Sequence, residues 1–209
     1  MDQIENEKLD ESIRHILSGN AVCFVGAGFS IGGENSEGES IPSTGELEKL
    51  LRELADLPPD EQSTLPALGD YIEDDPRLAP ELRSLLARRL TICKPNATQQ
   101  ALISLPWRAV FTTNYDDLFE RGPNPSQYNP VSIATMKTGT ATSKKSIVYL
   151  HGRAADINEG MTDPGLVLSE RSYIELQQSN RELFSMLENE IHDATRVFFG
   201  DCIFDKPVT

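Results

Sequence analysis

Three stretches of this chain put chemically versatile residues directly after apolar runs. Residues 109–112 read Ala-Val-Phe-Thr, and Thr113, Asn114, Tyr115 and Asp116 follow at once. The run 146–150 stops abruptly at His151-Gly152, and the run 21–25 stops at Gly26-Ala27-Gly28. Central strands of a parallel sheet read as such apolar runs, and ligands bind beyond their carboxyl ends. Glycines let backbone N–H groups approach a phosphate closely. An uncharged amide such as Asn114 offers donors and an acceptor together, so it can hold a sugar hydroxyl and orient a water. An imidazole titrates near neutral pH and can take a proton. Three strand ends therefore supply a phosphate cradle, an amide and a candidate base, which is the equipment of a nucleotide site.

Each feature also has a plainer reading. Gly26-Ala27-Gly28 serves equally as a tight turn, and the dinucleotide fingerprint G-x-G-x-x-G fails because Ile31 stands at its third glycine. Asn is a common turn residue that bonds its own backbone. Asp116 suits the cap of a short helix at 117–120 as well as it suits ligand contact. His15 and His192 fall on amphipathic helical patterns, where surface or packing roles are expected, which leaves His151 as the candidate base.

The elements that must position these residues follow from periodicity and punctuation. Leu9, Ile13, Ile16 and Leu17 keep helical spacing up to Ser18-Gly19-Asn20, and the strand 21–25 follows. Residues 32–40, rich in Gly, Glu and Ser, read as a surface loop. Ser43 and Glu46 form a capping-box pattern ahead of Leu47, Leu50, Leu51 and Leu54. Helical stretches near 60–72, 80–90 and 95–103 come next. About fifty residues of helix thus precede the strand at 109, more than a plain crossover needs. The expectation is a single domain over 1–209, with a helical insertion at 43–94. Short strands are expected at 131–134 and 166–168, a helical region from a Ser169 cap to His192, and a last strand at 196–200 ending in Gly200. The fold class is α/β: a Rossmann-type parallel sheet flanked by helices, with an inserted helical lobe.

Bulk properties narrow the function classes. The formal net charge is −14, a field that disfavours direct nucleic-acid binding. No apolar run approaches the length of a membrane span, and the acidic N-terminus lacks the character of a signal peptide. A cytoplasmic protein is expected. Cys23, Cys93 and Cys202 are far apart and form no C-x-x-C pair, so neither a zinc site nor a disulfide framework is expected.

The ordered set G-A-G-F-S (Gly26, Ala27, Gly28, Phe29, Ser30), T-T-N-Y-D (112–116), H-G (His151-Gly152) and F-F-G-D-C (198–202) resembles the sirtuin superfamily. It looks closest to the sirtuin-like domains of bacterial antiphage defence systems. The resemblance implies that Gly26, Ala27, Gly28, Phe29 and Ser30 wrap the phosphates of NAD. It implies that Asn114 and Asp116, with Thr113 beside them, line the nicotinamide–ribose pocket. By the same likeness His151 is the catalytic base and Gly200 lies by the adenosine. The paired zinc-binding cysteines of deacetylating sirtuins are missing, Thr113 stands where those enzymes usually carry Gln, and their late Gly-Thr-Ser is here Gly200-Asp201-Cys202. These departures favour an NAD glycohydrolase, with NAD as substrate and no metal, that depletes NAD in defence. Alternatives are an NAD- or ADP-ribose-binding regulatory module without catalysis, and a protein deacylase or ADP-ribosyltransferase. The resemblance further implies a homo-oligomer and a defence-system partner protein.

Overall fold

The computed structural model describes residues 3–58, 62–136, 145–161, 163–193 and 196–200. Its centre is a five-stranded sheet of β1 (Ala21–Val25), β2 (Ala109–Thr112), β3 (Tyr128–Val131), β4 (Lys145–Tyr149) and β5 (Arg196–Gly200). The order is β3-β4-β2-β1-β5, and every pairing is parallel. Strand β2 is central, β1 lies beside it with β5 on its other side, and the sheet has the Rossmann-like α/β form.

The helices are α1 (Gln3–Leu17), α2 (Ala27–Ser30), α3 (Thr44–Leu54), α4 (Leu65–Glu73), α5 (Leu78–Leu90), α6 (Ala97–Ile103), α7 (Ile133–Met136), α8 (Ala155–Asn158), α9 (Glu170–Ser179) and α10 (Arg181–Asp193). All side chains of β1 and β2 are buried, as expected of strands covered on both faces. One face packs Cys23, Val25, Val110 and Ile147 against Ile103 and Trp107. The other packs Val22, Phe24, Phe111 and Val148 against Leu183, with Phe184 and Leu187 of α10. Helices α3, α4 and α5 build a third core from Leu47, Leu51, Leu68, Ile72 and Leu86, which also takes in Leu118 and Leu168. The Ser43–Glu46 capping box that starts α3 is formed.

The strands end together. Val25 pairs with Thr112 and Gly200, and Thr112 pairs with Tyr149. The ladder extends one step further through Thr113 N to Val25 O at 3.4 Å and Leu150 N to Thr112 O at 2.9 Å. Asn114 and His151 therefore each stand two residues beyond one shared row.

Several elements differ from the sequence reading. Strand β3 lies at Tyr128–Val131, and 133–136 is a helical turn rather than part of a strand. Helix α4 begins at Leu65, later than the pattern near 60 suggests. Residues 166–168 form no strand; Val167 N donates to His151 O at 2.9 Å, just beyond the end of β4. The helical region after Ser169 is two helices, broken at buried Asn180, whose side-chain amide donates to Leu150 O at 2.7 Å. A polar side chain spent on a neighbouring loop interrupts a pattern that looks continuous in hydropathy. Asp201 and Cys202, where the resemblance expects the Thr and Ser of Gly-Thr-Ser, lie outside the described residues.

One buried carboxylate joins the third core to the sheet. Asp117 accepts from Ile92 N at 3.0 Å and Cys93 N at 2.9 Å, and from the Arg121 guanidinium at 2.9 and 2.5 Å. Its side chain is fully buried. Ile92 holds a positive φ of 55°, costly for a β-branched residue, so the clamp sustains a strained turn. Replacing Asp117 by Ala should lower unfolding free energy by about 2–4 kcal/mol, the scale for stranding buried donors that had a charged acceptor. Chemical denaturation measures this, and a loss within about 0.5 kcal/mol, the range of ordinary surface changes, would contradict the clamp.

Candidate functional site

Strand β1 runs directly into α2, so the expected glycine turn is one turn of helix. Gly26 has φ −126° and ψ −168°, and Gly28 is not at positive φ. What glycine supplies here is a missing side chain rather than a special backbone angle. Ala27 and Gly28 open the helix, where N–H groups lack an intrahelical acceptor. The turn is held from behind by Gln99, whose amide donates to Phe29 O at 2.7 Å and Ile31 O at 3.1 Å. Phe29 packs on Phe119 with ring centroids 5.5 Å apart. Gln99 is also the third residue of α6 in a reciprocal cap with Asn96. The sequence reading missed it, although Asn96-x-x-Gln99 is a capping-box pattern.

Asn114 is 8% exposed and reaches back to this turn. Its Nδ2 donates to Gly26 O at 2.9 Å and to Ser30 Oγ at 2.9 Å. Its backbone N–H donates to Thr112 Oγ1 at 2.9 Å. A carbonyl oxygen only accepts, so the contact with Gly26 fixes which end of the amide faces the turn. Ser30 Oγ in turn donates to Asp116 Oδ2 at 2.7 Å. Asp116 Oδ1 accepts at 3.1 Å from the N–H of Leu118, the first residue of the 3₁₀ turn Leu118–Arg121, whose cap position is taken by Asp117 rather than by Asp116 as the sequence suggests. Desolvation pushes the Asp116 carboxyl up to about 6, against the lowering effect of the Ser30 and Leu118 hydrogen bonds. Thr113 is half-buried, and its N–H donates to Val25 O.

His151 has different neighbours. Its ring stands edge-on to Tyr173 of α9 with centroids 5.5 Å apart. Tyr115, from the Asn114 loop, donates to Val167 O at 2.6 Å, and Val167 N returns a bond to His151 O. Gly152 follows with φ +85°, and a Cβ there would meet Gly165 O at 2.5 Å, so only glycine fits the turn that aims His151. His151 is half-buried, and desolvation pushes its pKa down to about 4. The imidazole is uncharged at neutral pH and is a proton acceptor. The site residues thus form two groups: Gly26, Ser30, Asn114 and Asp116 bonded to one another, and His151 with Tyr115 and Tyr173. Both hang from the same strand-end row, with the backbone of Gly200 in it. Tyr173 and Asn180 carry no sequence signal for this role, because their work depends on where α9 returns over β4.

A cleft of about 460 Å³ lies elsewhere, on the sheet face by β3 and β4, lined in part by Phe119, Tyr128 and Ile147. At its rim Arg153 is buried in a dense network, with Glu120 at 2.7 Å, Asp156 at 2.6 Å and Glu159 at 2.8 Å. Among the described residues, no helix is long and apolar enough to cross a membrane.

Residues 108–207 match the family model described as a SIR2-like domain. The matched span contains Asn114, Asp116, His151 and Gly200 and begins after the Gly26–Ser30 turn. The match supports likeness to the sirtuin-like superfamily over this part of the chain, and it implies an NAD-related function. No curated protein matches the chain.

The two shifted groups pull stability in opposite directions. His151 is lowered from 6.5, so the unfolded chain protonates first and stability falls as pH drops from about 6.5 towards about 4. Asp116 is raised from 3.8, so the folded chain protonates first and stability rises as pH drops from about 6 towards 3.8. The melting temperature of His151→Ala relative to wild type should therefore climb as the solution is acidified from neutral pH. A difference that stays constant across that window would contradict the buried placement of His151.

Proposed function

We propose that the chain is an NAD glycohydrolase, cleaving NAD to nicotinamide and ADP-ribose with water as acceptor. The observation that carries this reading is the locked Asn114 amide, bound to the turn after β1 and standing level with His151 beyond one row of strand ends. The SIR2-like match supplies the nucleotide class. The N–H groups of Ala27 and Gly28 suit the pyrophosphate, and on a chain of net charge −14 such local donors must offset long-range repulsion. Phe29, Ser30, Thr113 and Gly200 complete the binding surface in this reading.

The chemistry asks little of an acid. When the bond from ribose C1′ to nicotinamide breaks, the positively charged pyridinium leaves as a neutral molecule. Positive charge moves to the ribose, as in an oxocarbenium-like glycosidic transition state. Asn114, with both amide protons committed to Gly26 and Ser30, presents Oδ1 to the water or a ribose hydroxyl. His151, neutral at physiological pH, takes the proton that the water or hydroxyl gives up as charge develops beside it. The balance is NAD plus water to nicotinamide, ADP-ribose and one proton.

In the wider reading, NAD loss serves antiphage defence and is governed by assembly into a homo-oligomer or by a partner protein. The rival is a module that binds NAD or ADP-ribose without cleaving it. A deacylase or ADP-ribosyltransferase differs in the acceptor, and product analysis with an acetylated peptide separates it. Chromatography of NAD incubations decides the main question. Wild type should release free nicotinamide. Asn114→Ala and His151→Ala should each cut the rate by about 10²–10⁴-fold, the usual scale for general-base help, with unchanged circular dichroism. NAD bound without nicotinamide release would favour the binding module, and wild-type rates in either variant would remove that residue from the mechanism.

A further inference from the structure

Asp116 is buried close to the strand ends, and its carboxylate is turned to the protein. One oxygen takes the Leu118 N–H and the other takes the Ser30 hydroxyl. We infer that Asp116 is a positioning residue that acts through Ser30, holding the Asn114 amide in the single orientation that leaves its Oδ1 for substrate; this rests on the role given to Asn114 above.

The argument is one of donors and acceptors. An ionised carboxylate only accepts, so the Ser30 proton must point at Asp116. The Ser30 oxygen is then left with lone pairs only, and it accepts from Asn114 Nδ2. Gly26 O takes the other amide proton. Every bond in the chain Asp116–Ser30–Asn114–Gly26 thus has one permitted direction. Asn114 cannot flip without setting its carbonyl oxygen against two acceptors. Ser30, Asn114 and Asp116 are 3%, 8% and 7% exposed, so water is poorly placed to substitute for any of these partners.

The direction of the chain depends on the charge of Asp116. Once protonated, the carboxyl can donate to Ser30, whose hydroxyl no longer has a fixed direction, and the hold on Asn114 weakens. That change falls near pH 6, where burial places this group. The titratable groups that face Asp116 are Asp117 beside it, Cys93 and Tyr149. Burial and the neighbouring carboxylates push the Cys93 thiol far up, and burial does the same to the Tyr149 phenol, so neither changes charge in this range. His151 is expected near 4, a distinct and lower step.

Two readouts on the full chain test the proposal. The first is the side-chain amide proton pair of Asn114 by ¹H–¹⁵N NMR, followed across about pH 4.5–8, a span that brackets an acidic group raised by burial. Both protons should be shifted as strong donors at the alkaline end. They should move with a midpoint near 6 in wild type, and that movement should vanish in Asp116→Asn. Signals that neither titrate in wild type nor respond to Asp116→Asn overturn the proposal, whether or not NAD is cleaved. The second readout is NAD turnover. Ser30→Ala and Asp116→Asn should lower kcat by about 10–100-fold, the scale of a misplaced reacting group, and in Asp116→Asn, whose carboxylate faces the protein, KM should stay within about threefold. Ser30→Thr, which keeps the hydroxyl, should recover most of kcat, and the rise of kcat through pH 6 should be absent in Asp116→Asn. Unchanged kcat in both Ser30→Ala and Asp116→Asn overturns the proposal. Should wild type cleave no NAD while the amide pair behaves as described, the glycohydrolase reading falls and the positioning of Asn114 stands.

Discussion

The hydrogen bond from Asn114 to the carbonyl of Gly26 is the contact on which the rest depends. It ties the loop after β2 to the turn after β1, two segments 88 positions apart in sequence. Without it the strand ends would share a row but not a site. The bond also spends the donor end of the amide on the protein, which fixes the chemistry of the end that remains. Its own support comes from the core: Gln99 braces the turn from one side, and Ser30 with Asp116 braces the amide from the other.

Adjacent acids divide the work. Asp116 points towards the strand-end cluster, and Asp117 points away to the segment that leads out of α5. Both are almost wholly buried, but their partners differ in kind. Asp117 has a guanidinium and two backbone donors, whereas Asp116 has only a hydroxyl and one N–H. Neutral partners offset desolvation less than a cation does. Burial raises the Asp116 carboxyl to about 6, at the position where a change of charge reaches Asn114 through Ser30.

The strand ends were legible because buried parallel strands announce themselves as apolar runs and stop at polar or glycine residues. Asn114, His151 and the Gly26–Ser30 turn stood at those stops, and the sheet sets them level. The capping box at Ser43 was legible for a similar reason, since both of its bonds are local. What hydropathy could not reveal was long-range. Residues 166–168 look like a strand, but their hydrogen bonds go to His151 and Tyr115 instead of a ladder. The helix after Ser169 breaks at Asn180 because that side chain is needed at Leu150. The approach of Tyr173 to His151 depends on the same return path, and no spacing in the sequence encodes it. The resemblance named the residues; the mutual bonding of Ser30, Asn114 and Asp116 came only from the coordinates.

A structure of the wild-type chain with a non-cleavable NAD analogue bound tests the central claim most directly, because it keeps the Asn114–Gly26 bond. The account predicts the pyrophosphate on the N–H groups of Ala27 and Gly28, and the nicotinamide ribose between position 114 and the His151 ring, with Tyr173 displaced or packed on the sugar. NAD seated in the cleft beside Tyr128 and Ile147, or a ribose out of reach of His151, would contradict it.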